Sequence, residues 1–133
     1  MIDHWTIEPG VAMGPLKLGM TEVECVSLLG PVAKSFRRFK DRPEVTLAYD
    51  DAHLHLTVGA SGTIQVISAF RPRTVILAGI QVLDRPMAEI SAQLSSTGLK
   101  IERVDAGLWC RGTGVVLVEV DGMIDGVELS SRE

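Results

Sequence analysis

Apolar and polar residues alternate with a period of two over 45–49 and again over 53–58. Val45, Leu47 and Tyr49 share one face of a predicted strand, and Leu54, Leu56 and Val58 share one face of the next. Asp50-Asp51 and Ala60-Ser61-Gly62 supply turns, so a third strand over 63–70 completes an antiparallel meander. The residues from Lys34 to Pro43 are polar and read as a loop. Ahead of them, 7–18 is extended and 21–29 is a helix. Thr21 is an N-cap, with Glu24 three residues on as its capping-box partner, and Gly30-Pro31 stop the helix. Val23, Val26 or Ser27, and Leu28-Leu29 are expected on its buried face.

The order then repeats. Residues 75–77 and 80–82 are extended, and a helix opens at 83–86 with Asp84 as its cap and Pro86 in its first turn. Met87, Ile90 and Leu94 form an i, i+3, i+7 stripe, and Gly98 ends the helix. Strands follow at 99–104, 107–111 and 115–120, then an Asp121-Gly122 hairpin turn and a last strand at 123–129. Residues 18–30 resemble 82–98, and 61–67 resemble 121–127. The pattern therefore predicts an α+β domain, 1–133, made of two pseudo-repeats, about 1–72 and 73–133. Each lays one helix on an antiparallel meander (βαβββ-like), the two sharing one sheet or core.

Composition narrows the function. The chain has 133 residues, 46% of them hydrophobic and 23% charged, enough for one folded domain. A net charge of −4 argues against nucleic acid, which needs clustered Lys and Arg. The one basic run, Arg37, Arg38, Lys40 and Arg42, is followed by Glu44, Asp50 and Asp51 and reads as a solvated loop. The first ten residues lack a basic, then apolar, leader pattern, no lipobox cysteine follows Met1, and no apolar run reaches membrane-span length. The expectation is a cytoplasmic protein without a membrane partner. Cys25 and Cys110 read as small buried hydrophobes.

No constellation for catalysis emerges. His53 and His55 form an HxH pair that a strand would project from one face, and HxH occurs in zinc sites. His4, Asp50 and Asp51 are the only nearby further ligands and show no recognisable spacing, so a polar sheet face is the plainer reading. There is no GxSxG elbow, no P-loop and no dinucleotide fingerprint, and Gly112-Thr113-Gly114 reads as a hairpin turn. Late carboxylates such as Asp105, Glu119 and Glu128 are accounted for by turns and a solvated edge. No enzyme, no cofactor and no metal is expected. Trp5, Tyr49 and Trp109 read equally as core or as interface aromatics, whereas Phe70 reads as core.

Gly14, Leu16, Leu18, Gly19, Met20, Thr21, Val23, Leu28, Leu29 and Gly30, followed by the meander, make a pattern that resembles the repeat of the BamE/SmpA outer-membrane lipoproteins. It is also similar to the tandem unit of the β-lactamase inhibitor protein, and the small acidic chain looks like bacterial immunity proteins. The resemblance implies a non-enzymatic protein-binding module. The expected function is that of a cytosolic immunity protein occluding a cognate toxin, bound through Tyr49, Asp50, Asp51, His53, His55, Trp109 and Arg111. A small-molecule or peptide-binding domain and an envelope-assembly scaffold are the alternatives. Neither the partner's identity nor the oligomeric state is written in the sequence.

Overall fold

The computed structural model describes residues 4–32, 34–36, 41 and 43–131. These form a mixed α+β fold, mostly strand, with two α-helices and two sheets. The order is β1 (His4–Glu8), β2 (Ala12–Met13), β3 (Leu16–Lys17), α1 (Glu22–Leu29), β4 (Lys34–Phe36), β5 (Val45–Tyr49) and a 3-10 turn (Asp50–Ala52). There follow β6 (Leu54–Val58), β7 (Ile64–Phe70), β8 (Thr74–Leu77), β9 (Ile80–Gln81) and α2 (Met87–Ser96). The chain closes with β10 (Ile101–Val104), β11 (Gly107–Cys110), β12 (Val115–Val120) and β13 (Met123–Leu129).

An eight-stranded antiparallel sheet runs β10-β11-β12-β13-β7-β6-β5-β4, so β13 and β7 pair at its middle. A five-stranded sheet runs β3-β2-β1-β8-β9 and contains a parallel pairing, β1 with β8. The chain entering each helix is clamped to the large sheet. Gly19 N–H donates to Ile64 O and Ile64 N–H to Met20 O, both at 2.8 Å. Before α2, Asp84 N–H donates to Ile124 O at 2.8 Å and Ile124 N–H to Arg85 O at 2.9 Å. One apolar cluster joins the inner face of the large sheet (Leu47, Leu56, Leu117, Val127) to the small sheet (Ile7, Met13, Val75) and to the helices through Cys25, Ile90 and Leu94. Each such large side chain, fully buried, is worth about 1.5–3 kcal/mol over exposure.

Helix α1 carries the predicted capping box. Glu24 N–H donates to Thr21 Oγ1 at 3.2 Å, and Thr21 N–H donates to Glu24 Oε1 at 3.0 Å. Its buried face is the expected one only in part: Leu29 packs against the core and Val26 is half-buried. Cys25 is fully buried, whereas Val23 is 79% and Leu28 51% exposed. The helix has only eight residues, and apolar side chains stand on every side of it, so spacing alone could not select the docking face. The chain's attachments at both helix ends select it: Thr21 bridges to Thr63, and Tyr49 Oη donates to Gly30 O at 3.3 Å.

Two further expectations are corrected. Asp84 does not cap α2: Pro86 occupies the N-cap without a side-chain bond, and Asp84 adopts a left-handed φ of 62°. Its carboxylate lies 3.6 Å from Arg71 instead. The segment read as a loop from Lys34 begins as a strand, because Lys34–Phe36 pairs antiparallel with β5. Arg37, Arg38, Lys40 and Arg42 lie outside the described residues. Ile90 and Leu94 are fully buried, and Met87 is partly so. Both cysteines are free and buried. Burial pushes the Cys110 thiol up to about 11, and burial, then Glu24 and Glu22, raises that of Cys25.

Candidate functional site

Alternation sets the outward face of the eight-stranded sheet on β6 and β11, whereas on β5 and β7 the outward Thr46, Ala48 and Ser68 are buried as well. Leu54 and Leu56 point into the core, so His55 between them points outward; Leu108 and Cys110 do the same for Trp109. The register then joins the strands. Lys34 faces Ala48, Ala48 faces His55, and His55 faces Ser68. Ser68 faces Glu128, Glu128 faces Val116, Val116 faces Trp109, and Trp109 faces Glu102. One cross-strand row thus spans all eight strands, from Lys34 on β4 to Glu102 on β10. Phe70, Gly126 and Val118 form a second row beside its centre. Both helices contribute their buried residues to the opposite, core side.

At the β4 end His55 is held between two aromatic rings. Its ring meets Phe70 edge-on at 5.0 Å and Phe36 edge-on at 6.2 Å. Nε2 lies 3.4 Å from Asp50 Oδ1, a long contact, and Nδ1 is buried with no hydrogen-bond partner among the described residues. Lys34 Nζ stands 4.0 Å from Asp50 Oδ2 and 5.9 Å from the Phe36 centroid. At the β10 end the Arg111 guanidinium lies 5.6 Å from the Trp109 ring centre and 3.6 Å from Glu102. The Phe70 ring covers Gly126, where an added Cβ would come within 3.0 Å of it.

The structure separates the residues expected to bind a partner. His55 and Trp109 share the outward face. Asp50 and Asp51 form the exposed 3-10 turn at its β5–β6 end, and Arg111 follows β11 at the other end. Tyr49 lies on the core side instead, 6% exposed, with its hydroxyl bound to Gly30. His53 is exposed but is not on the strand; it closes the turn at a left-handed φ of 57°, so the HxH pair does not project together. A turn returning the chain from β5 to β6 needs one left-handed residue, and histidine tolerates that region better than branched residues do. Tyr49, Asp50, Asp51, Leu29, Pro31 and Ala52 line a surface hollow of about 310 Å³.

Phe70 is on the outward face rather than in the core, partly exposed beside His55. It was missed with Phe36, Val116, Val118 and Glu128. A signal for two of these was present. In Val115–Val120 apolar residues occupy both parities, Val115 and Leu117 facing inward and Val116 and Val118 outward. Antiparallel sheets commonly alternate apolar-in and polar-out, so a strand apolar on both faces departs from that pattern.

No family model matches the chain, and no curated protein or solved structure is detectably similar to it. Among the described residues, no group of three or more His, Cys, Asp and Glu side chains could hold a metal ion. No described helix is long and apolar enough to cross a membrane.

Proposed function

We propose that this chain is a non-enzymatic protein-binding module, a cytosolic bacterial immunity protein that occludes a cognate toxin through the outward face of its large sheet. The observation that carries the reading is the continuous row from Lys34 to Glu102, which sets His55, Val116 and Trp109 on a face away from the core. Eight strands span roughly 34 Å, wide enough for the about 800 Å² per partner of a standard interface. Trp109 and Phe70 supply aromatic anchors on either side of the centre, the residue type that dominates binding energy. Asp50, Asp51, His53 and Arg111 form its rim, and the net charge of −4 steers a basic effector towards it.

The same reading takes the halves 1–72 and 73–133 as tandem helix-on-meander units. What supports it is that four strands of the large sheet follow each helix, and that the chain entering each helix carries the same pair of backbone clamps.

The test is to look for a toxin domain encoded beside its gene, whose absence overturns the proposal, and to co-express the two chains. Protection from growth arrest and co-elution of a stoichiometric complex are expected, both lost in Trp109→Ala/Val116→Arg. A folded double variant that still protects and still co-elutes, or a wild-type chain that does neither, overturns the proposal.

A second reading rests on the hollow lined by Leu29, Tyr49 and Asp51. A small molecule or peptide end seated there would raise the melting temperature of wild-type protein but not of Ala52→Trp, which fills the hollow.

A further inference from the structure

We propose that Glu128 sets the specificity of the outward face, and that the partner segment it receives carries an Arg or Lys among apolar or aromatic residues. This rests on the protein-binding reading above and names the chemistry of the partner. Glu128 sits on β13, one of the two middle strands of the sheet, between Val127 and Leu129, which are fully buried on the core side. Its cross-strand neighbours are Val116 and Ser68. It is partly buried, and its carboxylate has neither an ion pair nor a hydrogen bond among the described residues.

The other charges of the row are paired. Glu102, at one end, is 3.6 Å from Arg111, and Lys34, at the other, is 4.0 Å from Asp50. Glu128 alone in that row is a charge without a counter-charge among the described residues, and it stands between the Trp109 and Phe70 anchors. In the free protein, water solvates the carboxylate. A partner that covers the face strips that water away, and an apolar or acidic segment would leave a desolvated, unpaired charge. A basic side chain restores the lost interaction, and its aliphatic stem can lie along Val116 and Val118. The centre of the face therefore selects a cation while its flanks select aromatic or aliphatic neighbours.

Random peptides displayed on phage and selected on the immobilised wild-type chain provide the test. Enriched peptides are then titrated against wild type, Glu128→Gln and Glu128→Lys, and located by amide chemical shifts. The expected peptides carry Arg or Lys beside an apolar or aromatic residue and shift Ser68, Val116 and Trp109. Their affinity falls at least about tenfold in Glu128→Gln, equivalent to about 1.4 kcal/mol. Selection on Glu128→Lys is expected to yield acidic peptides instead. Peptides that shift these residues but lack a basic side chain, or bind Glu128→Gln equally well, overturn this inference and leave the face as a docking surface. Failure to enrich, or shifts confined to residues elsewhere, overturns both.

Discussion

His55 and Trp109 stand in one cross-strand row on the same face of the sheet, four strands apart. At about 4.8 Å per strand the separation is roughly 19 Å. They are 54 residues apart in the chain, and neither touches the other; what relates them is the pairing of β7 with β13.

Because Trp109 points away from the core, its loss should separate binding from stability. Trp109→Ala is expected to weaken partner binding by about 2 kcal/mol or more, while lowering folding stability by only about 1 kcal/mol. Isothermal titration and urea unfolding of the same sample check the two numbers against each other. A stability loss that matches the binding loss would mean that Trp109 is a packing residue.

Helix α1 offers a direct test of which face it buries. Val23→Ala should change stability by no more than about 0.5 kcal/mol, since Val23 is 79% exposed and alanine is the better helix former. Thr21→Ala, which removes the capping-box hydroxyl, should cost about 1 kcal/mol, and Thr21→Ser should recover most of it. Urea midpoints of the three variants decide. The apolar pattern read from sequence predicts the opposite for Val23, with a loss typical of a buried valine.

Trp5 is packed between a glycine and a cation. The Arg73 guanidinium lies 4.0 Å from its ring centre, and a Cβ on Gly14 would come within 2.6 Å of ring atoms. Gly14 also has a φ of 60°, which non-glycine residues adopt at a cost. Gly14→Ala should therefore destabilise by about 2–4 kcal/mol, strain and overpacking adding together. Trp5→Leu should recover part of that loss in the double variant, measured as a coupling energy between the two substitutions.

The thiols set an alkaline limit on stability. Burial raises the Cys110 value from 9.0 to about 11, so the folded state resists ionisation that the unfolded state undergoes freely. A folded value above the unfolded one gives stability that is intact below pH 9.0 and declines as the pH rises towards about 11. Cys25 shifts in the same direction. Unfolding midpoints across that interval should fall in wild type and fall less in Cys110→Ala. In native protein at pH 8 neither thiol should react with a disulfide reagent until urea exposes them.

Local signals carried much of the fold. The Thr21–Glu24 capping box, the alternation of Leu54, Leu56 and Val58, the strands Val115–Val120 and Met123–Leu129, and the burial of Cys25 and Cys110 are contained in short stretches of sequence, because each depends on neighbours a few residues away. The left-handed turns at His53 and Asp84 escaped, since side-chain type only weakly restricts a polar residue's φ. Which side of α1 docks was legible only in part: Leu29 does pack against the core, but Val23 and Leu28 face solvent, since apolar residues surround the helix. Above all, the sequence could place His55, Glu128, Val116 and Trp109 on strands, but not beside one another. Their row exists because β13 pairs with β7, a contact between distant parts of the chain whose register is set by packing the core on one face and which no local periodicity encodes.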